Sequence, residues 1–193
     1  AGSAFKLAQE LNPENPYYNN SLAYAYIKAE LYDDAIEYYQ LAIKLNPDAE
    51  WTSIVCHALG AIYAEVKNNF DAAEATFNAG MVLDPKNVDI QLSLGDLYMA
   101  QGDLDKAIKT YCDAISVEPE NYLTYAKTGL ALWEKDYLEE AIVAFHKSIE
   151  LNPEFEIAQN NLGVVYLDGI GDPKESIEYF KNAININPNY TLA

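Results

Sequence analysis

Apolar and small residues along this chain recur at a fixed register. An aromatic stands at Phe5, Tyr39, Phe77, Tyr111, Phe145 and Phe180. Four residues before each lies a small side chain (Ala1, Ala35, Ala73, Ala107, Ala141, Ser176), and three after it another (Ala8, Ala42, Gly80, Ala114, Ser148, Ala183). Spacings of four and three fall on one face of an α-helix, and small flanking residues leave room for a neighbouring helix. Eight residues after each aromatic comes a proline: Pro13, Pro47, Pro85, Pro119, Pro153 and Pro188. Proline cannot continue the helix and biases the residue before it away from helical angles, so it closes the element.

A second helical pattern fills the space between. It reads Leu22-Ala23 with Tyr26, Leu59-Gly60 with Tyr63, Leu94-Gly95 with Tyr98, Thr128-Gly129 with Leu132, and Leu162-Gly163 with Tyr166. Glycine within a helix costs about 1 kcal/mol against alanine, so its return at one register points to helices too close for a side chain. Breaks such as Gln101-Gly102-Asp103 and Glu134-Lys135-Asp136 are short enough to force an antiparallel turn.

The prolines are separated by 34, 38, 34, 34 and 35 residues. These residues and this period resemble the tetratricopeptide repeat family, and the resemblance covers almost the whole chain. It implies an all-α fold, a right-handed α-solenoid superhelix of helix-turn-helix repeats. First helices would line a concave groove and second helices an outer wall, each pair relying on its neighbours to bury its apolar stripe. The expected division is a second helix at 1–15, full repeats at 16–49, 50–87, 88–121, 122–155 and 156–190, and the start of another at 191–193.

Two intervals depart from 34. The long one carries three extra residues around Glu50, Trp51 and Thr52 and one between Lys67 and Phe70, which predicts a lengthened helix or a local step with Trp51 packed across it. The other has one added residue in Asp168-Gly169-Ile170-Gly171-Asp172, where the glycine-containing turn is similar to that of the Sel1-like repeat. Gly169-Ile170-Gly171 follows a helix and lacks a third glycine, so it is a poor phosphate loop. With a second helix at one end and an incomplete repeat at the other, the chain reads as a segment of a longer array, and end-to-end self-association is expected.

Charge narrows the partners. Twelve lysines, no arginine and 30 acids give a net charge of −18, which repels phosphate backbones and leaves no bidentate fork for them. No nucleic acid is therefore expected as a partner, and no apolar run approaches the roughly 18 residues of a membrane span. Cys56 and Cys112 stand far apart without a CxxC, a pattern that favours a reducing, cytoplasmic compartment. His57 and His146 are the only histidines, and no metal-ligand, nucleophile or glycine-fingerprint motif accompanies them. Acids at Asp33-Asp34, Asp103 to Asp105 and Glu139-Glu140 open second helices, where the helix dipole favours them. No enzyme activity, cofactor or metal is expected.

The family resemblance implies that positions two, five, nine, twelve and thirteen of each first helix face the groove. On this sequence they give Tyr17, Asn20, Tyr24, Ile27 and Lys28; Ile54, His57, Ala61, Ala64 and Glu65; Asp89, Leu92, Asp96, Met99 and Ala100. The last two repeats give Leu123, Ala126, Leu130, Trp133 and Glu134, then Ile157, Asn160, Val164, Leu167 and Asp168. Tyr24, Met99 and Trp133 are the leading contact residues.

The family's carboxylate clamp would need basic residues and asparagines at positions five and nine, where this chain has pairs such as His57 with Ala61 and Leu92 with Asp96. The asparagine ladder of O-linked N-acetylglucosamine transferase, whose repeats this chain also resembles, has one match, Asn161, beside Ser21, Ala58, Ser93 and Lys127. What remains is a groove for an apolar, basic protein or peptide segment. Two readings stay open: an interaction scaffold, or the regulatory or substrate-selecting array of a larger enzyme such as a glycosyltransferase.

Overall fold

The computed structural model describes residues 12–45 and 48–189. Ten helices follow one another among the described residues: α1 Pro16–Lys28, α2 Tyr32–Leu45, α3 Ala49–Ala61, α4 Phe70–Leu83, α5 Val88–Gln101, α6 Leu104–Val117, α7 Tyr122–Glu134, α8 Leu138–Leu151, α9 Glu156–Val164 and α10 Pro173–Ile186. No strand occurs among the described residues. The chain gathers into two compact units, Ala1–Leu97 and Tyr98–Ala193, whose boundary falls within α5. The expected second helix with Phe5 and Ala8, the stub at 191–193 and Pro47 lie outside the described residues.

Several helices begin where a short polar side chain satisfies free N–H groups of the first turn. Asn15 accepts from the amides of Tyr17 and Tyr18, Asn69 from Ala72, Asn121 from Thr124, and Asp172 from Lys174 and Glu175. The acids Asp33, Asp34, Asp105, Glu139 and Glu140 occupy first turns, at the positive end of the dipole.

The repeated register is the core. In the first unit, Ala35, Tyr39 and Ala42 of α2 pack with Ala23 of α1 and with Val55, Leu59 and Ile62. In the second, Ala141 and Phe145 of α8 join Ala126, Ala158, Leu162 and Val165. The glycines do what their recurrence predicted. A Cβ on Gly60 would stand 2.4 Å from the ring of Phe77, one on Gly163 would stand 2.7 Å from Phe180, and one on Gly129 would stand 3.0 Å from Phe145.

The irregular intervals resolve into two devices. The three extra residues near Trp51 add a turn at the start of α3, which begins at Ala49, capped by Asp48, and runs on through a π turn to Val66, so the helical run is lengthened as expected. Trp51 is half-buried against the first core and meets Tyr17 edge-on at 4.9 Å. Each single extra residue is absorbed by a π-helical turn, Ile62–Val66 after α3 and Val165–Ile170 after α9. An i→i+5 turn accommodates one more residue without breaking the helix. The second of these ends at Gly171, whose φ of 77° is the left-handed conformation that glycine tolerates.

One interaction was invisible in the sequence pattern. The fourth residue of three first helices donates its side chain back to the proline carbonyl six residues earlier: Asn19 to Pro13 at 3.0 Å, Gln91 to Pro85 at 3.2 Å and Tyr125 to Pro119 at 3.2 Å. The inter-repeat turn is thereby fastened to the helix that follows it.

Candidate functional site

In each unit the first helices carry exposed apolar side chains. In the unit 1–97, Tyr17, Tyr24 and Ile54 are 53 %, 56 % and 56 % exposed; in the unit 98–193, Leu123, Ile157 and Leu167 are 36 %, 38 % and 42 % exposed. All six lie at the positions expected to face a groove. Isolated exposed apolar residues are ordinary on a protein surface, but the same register filled in several helices is a patterned surface.

In the first unit, the ammonium of Lys28 sits 5.2 Å from the ring centroid of Tyr24, one helical turn away. Asn20 and Ile27 are half-buried, Ile27 against the α1–α3 core. Half-buried His57 holds its Nε2 2.9 Å from Ser93 Oγ on α5, with its ring 6.1 Å from Phe77. The hydroxyl of Ser21, at a ladder position, donates to the Tyr17 carbonyl and is engaged within its own helix. Asp89 and Asp96 are exposed on α5.

In the second unit, Leu130 and Trp133 are half-buried and packed on the core of Phe145 and Leu162, while Met99 and Val164 are also half-buried. A cleft of about 660 Å³ opens at the turn between α6 and α7, lined by Glu118, Pro119, Glu120, Asn121, Tyr122 and Leu123. Its apolar floor therefore has an acidic rim.

Position five does not behave as the family register implied. Leu92 and Asn160 are 8 % and 6 % exposed, and Ala126 at the same position is 6 % exposed. At these three residues the position turns into the packed interior, so Leu92 and Asn160 serve the core rather than an open surface, whereas Asn20 and His57 at the same position are half-buried. The Nδ2 of Asn160 has no hydrogen-bond partner among the described residues.

Ion pairs trim the acidic surface at two corresponding places. Asp33, in the first turn of α2, pairs with Lys67 at 2.6 Å, and Asp105, in the first turn of α6, pairs with Lys135. Each joins the start of a second helix to the end of the following first helix. The contact with Asp105 raises the pKa of Lys135, whose ammonium also lies 4.8 Å from the ring centroid of Tyr137. Among the described residues, no group of three or more His, Cys, Asp or Glu side chains is placed to hold a metal ion.

Comparison with known proteins follows the same pattern. Family models described as tetratricopeptide repeats match residues 16–49, 95–136, 124–155 and 158–190. The peroxisomal targeting signal receptor of Candida albicans is 29 % identical over 196 residues, covering 96 % of this chain and 32 % of that protein. BBSome complex member BBS4 of Bos taurus is 31 % identical over 119 residues, covering 62 % of this chain and 22 % of that protein. The chain thus spans about a third or less of the length of these relatives. Among solved structures, YrrB, described as a protein of this repeat class with an unusual peptide-binding site, superposes with a TM-score of 0.73 at 23 % identity, covering 98 % of this chain and 95 % of that one. MamA from Desulfovibrio magneticus RS-1 gives 0.78 at 16 % identity, covering 92 % and 97 %.

Proposed function

This chain belongs to the tetratricopeptide repeat family, and we propose on that premise that it is a non-catalytic protein-interaction scaffold whose first helices hold an apolar, basic segment of a partner protein. The observation that carries this reading is the exposed apolar register of the first helices, filled by Tyr17 and Ile54 in the unit 1–97 and by Leu123 and Ile157 in the unit 98–193, where carboxylates rim the cleft beside Leu123. A chain of net charge −18 recruits cationic segments and repels acidic ones. Apolar contacts with Tyr24, Leu123 and Leu167 would then supply the bound-state burial. The relatives support a protein or peptide partner, one being a targeting signal receptor and another a member of a complex.

The test is affinity capture with the intact chain, followed by binding of the retained segment to Leu130→Lys, Trp133→Ala and Tyr24→Ala variants. Loss of binding in these variants, with helical content unchanged, supports the first-helix surface. Undiminished binding by all three refutes it.

The repeat boundaries given above are the proposed architecture, with a Sel1-like expansion in the last turn. End-to-end association is supported by Ile184, which is 57 % exposed on α10, whereas its register equivalents Ile43 and Ile149 pack against the cores. Light scattering that rises with protein concentration, and is abolished by Ile184→Lys, is the expected result; a strict monomer would contradict it.

A further inference from the structure

A second cleft, of about 590 Å³, lies mainly on second helices. Ile115 of α6, Thr128 of α7 and Val143 and Ala144 of α8 line it, with Glu139 and Glu140 at one end. It does not use the exposed apolar positions described above. Its walls are the second helices α6 and α8, with Tyr125 and Thr128 of the first helix α7 between them, and its depth comes from departures of the fourth repeat from the register of the others.

Three substitutions within the repeat make it. The leucine of the first-helix signature, buried as Leu22, Leu59, Leu94 and Leu162, is Thr128 here, equally buried but shorter. The residue before the second-helix aromatic is Tyr38, Thr76, Thr110 and Tyr179 elsewhere, and Ala144 here. Tyr38 stacks on Tyr26 at 5.3 Å, and Tyr179 stacks on Tyr166 at 5.4 Å, so in the first and last repeats this space is filled by a ring. The position before that is Glu37, Ala75, Lys109 and Glu178 elsewhere, but Val143 here, 68 % exposed at the lip. Two side chains are smaller here than at the same register of the other repeats, beneath an apolar lip.

We propose that this cleft is a second docking site, occupied by a cationic amphipathic helix of a partner protein. One large aliphatic or aromatic side chain would seat over Thr128 and Ala144 between Ile115 and Val143. Lysine or arginine one turn away would meet Glu139 and Glu140, which are exposed at the start of α8. The far end carries Lys147, whose charge is already balanced by Glu150 at 2.7 Å, so the acidic pull on the occupant's basic turn comes from Glu139 and Glu140 at the α8 N-terminus.

The experiment restores the register of the other repeats. Thr128→Leu with Ala144→Tyr fills the cleft with residues that this scaffold already carries at the same positions, so folding is retained. Circular dichroism checks it. The probe is a synthetic helical peptide of about 18 residues with leucine on one face and lysine on the other, titrated into the intact chain by isothermal calorimetry and mapped by amide chemical shifts. The filled variant should bind at least about tenfold more weakly, and Glu139→Gln with Glu140→Gln should weaken binding and flatten its salt dependence. Shifts should include α6 and α8, and Leu130→Lys, on the first-helix surface, should leave those α6 and α8 shifts and their midpoint unchanged. Equal affinity of the filled variant, no binding of the probe, or loss only in Leu130→Lys with shifts along the first helices would each overturn the second site; the last would leave the first-helix reading standing.

Discussion

The tight fit of Gly60 against Phe77 offers a quantitative test. Replacing Gly60 by alanine puts a methyl group 2.4 Å from Phe77 Cε1 and 2.6 Å from Cδ1, where ordinary contact begins near 3.4 Å. The ring must retreat by about 1 Å. It is 1 % exposed, inside the packed face of α4, and has no space to enter. Overpacking of this kind costs about 1–3 kcal/mol, and a displacement this large belongs at the upper end. Against it stands the gain of about 1 kcal/mol from removing a helical glycine. The net expectation is a loss of about 2 kcal/mol. Gly129→Ala is the internal comparison, because its methyl would stand 3.0 Å from the edge of Phe145 and needs a shift of only a few tenths of an ångström. There the two effects cancel to within about 0.5 kcal/mol.

Urea unfolding followed by circular dichroism gives the midpoints. Repeat arrays need not unfold in a single step, so amide exchange in α3 and α4 should accompany it. Gly60→Ala combined with Phe77→Leu should recover part of the loss, since the smaller side chain removes the collision. If Gly60→Ala were as stable as the parent, or more stable, the argument from helix proximity would fail.

The remaining expectations are simpler. Burial raises the pKa of Tyr38, Tyr39 and Tyr179, so the folded state keeps these phenols neutral where the unfolded chain ionises them. Stability from this source is present below pH about 10 and lost as pH rises through the folded values, which thermal melts across the alkaline range would show as a falling midpoint. Cys112 is exposed and Cys56 is 2 % exposed, so a thiol reagent should modify Cys112 in the folded protein and Cys56 only on unfolding; simultaneous modification would contradict the packing. Gln91→Ala removes the side-chain bond to Pro85 and should cost about 1 kcal/mol in urea unfolding. Asp105→Asn breaks an exposed ion pair and should leave the urea midpoint nearly unchanged, with any difference vanishing in salt.

The helices were legible because their determinants are local and repeated: the Ala35, Tyr39, Ala42 spacing fixes a face, and Gly60 marks where another helix comes close. Trp51 and its neighbours were readable as a lengthened helix for the same reason. How a single inserted residue is absorbed was not, since the π turn at Ile62–Val66 depends on hydrogen bonds shifting by one carbonyl. Burial of Leu92 and Asn160 escaped because position five is set by how packed helices are inclined, which one helix's periodicity does not contain. The cleft beside Val143 was present in the sequence as Thr128 in place of leucine. That signal acquires meaning only when Ala144 is seen to lie beside it.

The central claim is that the exposed apolar register of the first helices takes a basic partner segment. Amide exchange of the intact chain, with and without the captured segment, tests it directly. The account predicts slowed exchange in α1, α3, α7 and α9, reversed by Leu130→Lys with Tyr24→Ala. Protection confined to second helices, and untouched by those substitutions, would contradict it.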